Sequence, residues 1–90
     1  MSEPHELPID GTLDLHTFVP RDVKQLIPAY IEACLDQGIL RLRIIHGKGT
    51  GTLRRIVHSV LSEHPDVESF GPDPGSGSWG ATCVNLKRPG

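Results

Sequence analysis

Ile44-Ile45-His46-Gly47-Lys48-Gly49-Thr50-Gly51-Thr52-Leu53-Arg54 is the stretch whose reading decides the fold. An apolar, strand-like run ends in a glycine-rich turn, and the turn opens an amphipathic helix. Gly47, Gly49 and Gly51 alternate with Lys48 and Thr50, and without a Cβ their backbone N–H groups can turn outward. A helix N-terminus follows, where unpaired N–H groups and the helix dipole favour an anion. Lys48 adds a mobile cation, and His46 adds a group that titrates near neutral pH. Together these residue types point to a phosphate site with a proton-transfer group beside it. The turn is not a P-loop, which needs glycine, four residues and then Gly-Lys-Ser/Thr. Nor is it a dinucleotide fingerprint, because Thr52 stands where the last glycine belongs.

Outward from the turn, the periodicity is clear on both sides. Residues 40–45 alternate, with Leu40, Leu42 and Ile44 on one face and Arg41 and Arg43 on the other. Beyond the turn, Leu53, Ile56, Val57, Val60 and Leu61 form the apolar stripe of a helix that stops before Pro65. Arg54, Arg55 and His58 lie off that stripe, and His58 and His64 read as solvent-facing. Upstream, residues 12–16 alternate as a short strand, with Asp14 and His16 sharing the polar face at its carboxyl end. Pro20 suits the first turn of a helix. Val23, Leu26, Ile27, Tyr30, Ile31, Cys34 and Leu35 then recur at helical spacing up to Gly38. Pro28 predicts a kink, or first turns that stand apart. Downstream, residues 67–70 read as a third strand, 71–78 as a mobile loop, and 79–86 as a last strand antiparallel to the third.

The predicted order is β-α-β-α-β-β: an α/β, two-layer sandwich with a four-stranded mixed sheet. The first two strands, joined by a helix, are parallel with a right-handed crossover. Both alternate, whereas parallel strands covered on both faces read as continuous apolar runs. Both helices are therefore expected on one face, leaving Asp14, His16, Arg41 and Arg43 on the open face or its rim. The domain is bounded at 12–86. Residues 1–11 are read as a tail with little structure of its own, and 87–90 as a short tail.

Ninety residues suffice for one modest core. Aromatic residues are too few for a base-stacking platform. No run of about 18 apolar residues is present, and the acidic start of the chain does not read as a signal peptide. Cys34 and Cys83 read as two buried, reduced thiols of a cytoplasmic protein, and no Cys–His cluster has zinc spacing. Net charge is −2, but residues 37–62 contain no acid and carry Arg41, Arg43, Lys48, Arg54 and Arg55. A local basic field of that kind holds a phosphate backbone whatever the total charge.

Parallel neighbours place their carboxyl ends on one sheet edge, where open α/β sheets bind ligands. Asp14 and His16 meet His46, Gly47, Lys48 and Gly49 there. Leu13-Asp14-Leu15-His16, followed by His46-Gly47-Lys48-Gly49-Thr50-Gly51 with Leu53-Arg54, resembles the small MutS-related (Smr) domain over residues 12–86. Residues 75–80, Gly-Ser-Gly-Ser-Trp-Gly, stand for that family's glycine-containing stretch before the last strand. Thr17 stands where many members carry glycine, so the backbone there is less permissive. The resemblance implies a fold similar to the C-terminal domain of a bacterial translation initiation factor. It also implies binding of DNA or RNA, with DNA-nicking or RNA-cleaving endonuclease activity in several members. The short chain looks like a stand-alone member.

Phosphodiester cleavage needs a positioned nucleophile, proton transfer and charge stabilisation. Lys48 and the Gly47, Gly49 and Gly51 amides are assigned to the phosphate, with Thr50, Arg54, Arg41 and Arg43 in the binding surface. His16 and His46 are the acid and base candidates. Asp14 either orients a histidine or holds a divalent cation, magnesium or manganese; in the structural alternative it only pairs with Arg41 or Arg43. Two functional classes stay open, a nuclease and a non-catalytic DNA- or RNA-binding module that uses the same phosphate site. A mononucleotide-binding or purely structural domain ranks below both. A monomer is favoured over an oligomer.

Overall fold

The elements follow in the order β1 (Thr12–Asp14), α1 (Pro20–Asp36), β2 (Arg41–Ile45), α2 (Thr52–Glu63), β3 (Val67–Pro72) and β4 (Ala81–Leu86). The computed structural model describes residues 9–15, 18–47, 51–73 and 80–88. The sheet order is β1-β2-β4-β3. β1 and β2 are parallel, with Leu13 opposite Ile44, and the Leu15 N–H continues the ladder to the Ile45 carbonyl at 2.7 Å. β4 runs antiparallel to β2 on one side and to β3 on the other.

The inward residues of β4, namely Thr82, Val84 and Leu86, are all buried, so this strand suits a central place. β3 is mostly exposed or half-buried, with a register shift between Val67 and Ser69, and it takes the edge. It runs two residues further than the sequence predicts. Gly71 and Pro72 pair with Cys83 and Thr82, and Pro72 is tolerated because an edge strand has a free side.

The core lies between the sheet and the two helices. Leu13, Leu15, Leu42 and Ile44 enter it from the sheet, Ile27 and Ile31 from α1, and Val57 and Leu61 from α2. Cutting any of these large side chains back to alanine removes about 2–5 kcal/mol. α1 is a single helix that contains Pro28, so its first turns do not stand apart. Proline deletes one backbone bond, but Val23, Ile27, Tyr30 and Ile31 are buried on both sides of it and hold the helix together. Gly38 (φ 76°) closes α1: its N–H reaches the Leu35 carbonyl at 3.1 Å, and the Ile39 N–H reaches that of Cys34 at 2.8 Å.

Two expectations need correction. Residues 9–11, read as part of a loose tail, are tied down. Ile9 packs on the core. Gly11 donates its N–H to the Tyr30 hydroxyl at 3.1 Å, and that hydroxyl donates to the Thr12 carbonyl at 3.1 Å. Cys34 is buried and free, but Cys83 is free and only half-buried, because it points to the sheet face away from the helices. Among the described residues no helix is long and apolar enough to cross a membrane.

Candidate functional site

The inward alternation of β2 does not stop at Ile44. Leu42 and Ile44 are buried, and so is His46, at 4 % exposure. His46 therefore belongs to the helix side of the sheet, while Asp14, paired in register with Ile45, lies on the exposed side. The backbone N–H groups of His46 and Gly47 both donate to the Gly80 carbonyl, each at 3.0 Å. This changes one expectation: the Gly47 amide is spent on the turn before β4 and is not turned outward to a phosphate. Gly47 has φ 78°, in the left-handed region that favours glycine.

Gly51 caps α2 in a left-handed conformation (φ 90°), and its carbonyl accepts the first helical bond, from the Arg55 N–H at 3.0 Å. The N-cap residue is a glycine and supplies no side-chain cap, and no acid stands in the first turn. The positive end of the dipole is thus left to whatever sits in front of it. A cleft of about 310 Å³ opens there, lined among the described residues by Phe18, Pro20, His46, Gly47, Thr52 and Arg54, with Gly51 and Leu53. A shallower hollow of about 420 Å³ adjoins it along α2, at Gly51, Arg54, Arg55 and His58. Arg54 and Arg55 are exposed and face these hollows.

Below the cleft two histidines converge on one hydroxyl. His46 Nε2 lies 2.9 Å from Thr82 Oγ1, and His58 Nε2 lies 3.1 Å from the same atom. The two ring centroids are 6.4 Å apart, and the His58 ring stands edge-on to Phe70 at 5.1 Å. Burial lowers the pKa of both histidines, and the Arg54 guanidinium adds to the effect. Both shifts favour the neutral ring. The remaining nitrogen of His46, Nδ1, is 3.3 Å from the Gly47 carbonyl oxygen. Hence Thr82 and Gly47, not Asp14, orient this ring.

His58, solvent-facing on the sequence reading, is half-buried in the site. Its signal was its place one turn after Arg54 and directly after the apolar Val57. Thr82 had a signal too, since it shares the alternation of Val84 and Leu86. His64 is also not simply solvated: its Nδ1 accepts the Asp66 N–H at 3.1 Å and closes the turn after α2.

The open sheet face is a separate place. Arg41 and Arg43 are exposed there, as expected. The Arg43 Nε, however, meets Asp73 Oδ2 at 2.6 Å, and Asp73 is 7 % exposed. The sequence places Asp73 in a mobile loop, and the structure ties it down. Its N–H donates to the Ala81 carbonyl at 3.2 Å, and its Oδ1 takes the Cys83 thiol at 3.6 Å. Burial pushes the Cys83 thiol pKa up, and the Asp73 carboxylate pushes it further. Asp14 lies on the same face. His16, Lys48, Gly49, Thr50 and residues 75–79 lie outside the described residues. Among the described residues no three His, Cys, Asp or Glu side chains gather as a metal-ligand set.

The sequence model of the Smr domain matches residues 13–87. A protein named endonuclease MutS2 from Caldicellulosiruptor bescii is 36% identical over 80 residues, which cover 88% of this chain and 10% of that protein. Another of that name, from Solidesulfovibrio magneticus, is 47% identical over 60 residues, covering 66% of this chain and 8% of that protein. The chain spans about one tenth of the length of these relatives. The crystal structure of the Smr domain of Thermus thermophilus MutS2 superposes with a TM-score of 0.79 at 33% identity, covering 87% of this chain and 99% of that one. YdaL, a stand-alone small MutS-related protein from Escherichia coli, gives 0.78 at 27%, covering 92% and 69%. The four-stranded mixed sheet with its two helices is the fold of these domains.

Proposed function

The chain belongs to the Smr domain family, and from that premise we propose that it binds DNA or RNA and cleaves a phosphodiester bond held in the cleft where β2 runs into α2. The acid-free N-terminus of α2, which opens at a glycine, with Arg54 beside it in the cleft, carries this reading. N–H groups of the first helical turn meet phosphate oxygens directly, and an arginine adds a charge-assisted pair. Arg55 extends the basic strip along α2. Lys48, with Gly49 and Thr50, is proposed to complete the phosphate grip. The names of the full-length relatives, endonuclease MutS2, support the hydrolytic half of the proposal.

For proton transfer we assign Asp14, the last residue of β1, and His16, two positions further along the sequence. Both nitrogens of His46 are engaged, so its role is to shape the turn. A magnesium or manganese ion at Asp14 would neutralise charge on the phosphoryl oxygens. The engagement of His46 also favours a second reading, in which the domain holds nucleic acid without cutting it.

The test is incubation with supercoiled DNA and with structured RNA, with and without magnesium, alongside binding measured against salt. Binding should weaken as salt rises, because phosphate contacts release counterions. A flat salt response, or no binding at low salt, removes the nucleic-acid reading. Asp14→Asn and His16→Ala should bind normally and cut roughly a hundredfold more slowly. Wild-type protein that binds but cuts neither substrate selects the binding module.

A further inference from the structure

A threonine hydroxyl has one hydrogen to give and two lone pairs to receive. Thr82 has two imidazoles on it, His46 Nε2 at 2.9 Å and His58 Nε2 at 3.1 Å. Its one hydrogen serves one of them, so the other ring must donate. His46 decides which. Its Nδ1 faces the Gly47 carbonyl oxygen at 3.3 Å, and a carbonyl only accepts. The hydrogen of neutral His46 is therefore on Nδ1, and its Nε2 is left as an acceptor. Thr82 then donates to His46, and the His58 Nε2–H donates to Thr82. Each of the three hydrogen bonds then has one donor and one acceptor, and the chain runs in one direction only.

We propose that His58 and Thr82 are positioning residues: the ordered chain His58 to Thr82 to His46 to the Gly47 carbonyl locks the His46 ring in its Nδ1–H form and fixes the peptide plane that leads into the glycine turn. Three elements contribute. α2 supplies His58, β4 supplies Thr82, and the end of β2 supplies His46 and Gly47. The His46 and Gly47 amides pull the other way, onto the Gly80 carbonyl at 3.0 Å, so Gly47 is held from both sides. Phe70 of β3 stands edge-on to His58 at 5.1 Å and keeps that ring from swinging out. The lowered pKa values of both histidines fit the scheme, which needs both rings neutral. A buried chain of this kind is worth keeping only when all its members are paired. Among the described residues no buried side-chain nitrogen or oxygen lacks a partner.

Only the consequence for phosphate binding rests on the nucleic-acid reading; the order of the hydrogen bonds does not. Long-range proton–nitrogen correlation on the isotope-labelled protein at neutral pH reads each ring's tautomer. His46 should carry its hydrogen on Nδ1 and His58 on Nε2, each as a single form. His46 found with its hydrogen on Nε2 in the wild type overturns the proposal, and this measurement needs no variant to fold. Thr82→Val keeps the shape and removes the hydroxyl that donates to His46 Nε2, so the Nε2 nitrogen resonance of His46 should move downfield as it loses its hydrogen bond; an unchanged Nε2 resonance overturns the proposal as well. His58→Gln retains an N–H donor for Thr82 and should keep the wild-type His46 Nε2 resonance, whereas His58→Leu frees the Thr82 hydroxyl to rotate and should shift it. Nucleic-acid affinity should fall several-fold in Thr82→Val and His58→Leu, and recover in His58→Gln. A wild type with these tautomers that binds no nucleic acid leaves this proposal standing and removes the previous one.

Discussion

The two sides of the sheet use their charged residues in opposite ways. On the open face one of the two arginines of β2 is answered: Arg43 meets the buried carboxylate of Asp73, which also receives the Cys83 thiol. At the edge on the helix side, Arg54 and Arg55 project over two hollows, α2 begins at a glycine, and burial lowers the pKa of the histidines beneath. Basic residues that are neighbours in sequence thus divide into a structural set and a set turned to an anion. A count of charge along the chain does not separate them. Exposure alone fails as well, since Arg43 and Arg54 are both exposed.

The largest expected effect tests whether the two sides are mechanically separate. Tyr30→Phe removes the hydroxyl that receives the Gly11 N–H and holds the Thr12 carbonyl. Leaving that buried N–H unpaired should cost about 1–3 kcal/mol in denaturant unfolding. Faster hydrogen exchange should be confined to β1, which carries Asp14. Equal loosening at His46 and Gly47 would break the separation.

Next comes the assignment of the anion site. Arg54→Ala should weaken nucleic-acid binding about tenfold and lower the salt slope by about one, as expected for one lost phosphate contact. Arg43→Ala should change affinity less than about twofold, because a surface charge away from the phosphate acts only through a screened field. Equal losses in the two variants would place phosphate on the open face too.

The histidines supply a pH test of the edge. Unfolded, His46 and His58 protonate around the ordinary value of 6.5; folded, burial holds both lower. Their contribution to stability is therefore complete above that value and is lost as pH falls through it toward the folded values. Thermal melting should drop as pH is lowered from about 7 to 5, and less in His58→Gln. A melting temperature that is flat or rises across this range would contradict the burial of the two rings.

The smallest effect sharpens the open face. Asp73→Asn removes the charge beside Cys83 and should speed thiol alkylation, since the thiolate is the reactive form. Its stability cost should stay under about 1 kcal/mol, because the Arg43 side chain of the pair is 45% exposed. Unchanged alkylation would mean that burial alone sets the thiol.

Periodicity made most of the fold legible. The alternation of residues 40–45, the stripe of Val23 through Cys34, and glycine at 38 identify β2 and α1 because each pattern matches a fixed backbone repeat. The glycine-rich turn marks the start of α2 for the same reason, since few residues other than glycine accept the left-handed conformations found at Gly47 and Gly51. Tertiary structure alone decided three things. It inserted β4 between β2 and β3, a choice set by which strand can bury one face and pair both edges. It brought Asp73 across to Arg43, cancelling part of a basic segment that contains no acid in sequence. And it joined His46, His58 and Thr82, which come from three separate elements. Local repeats are written in the chain because backbone geometry is local. A hydrogen-bonded set drawn from distant positions has no repeat, and it exists only once packing has brought its members within about 3 Å.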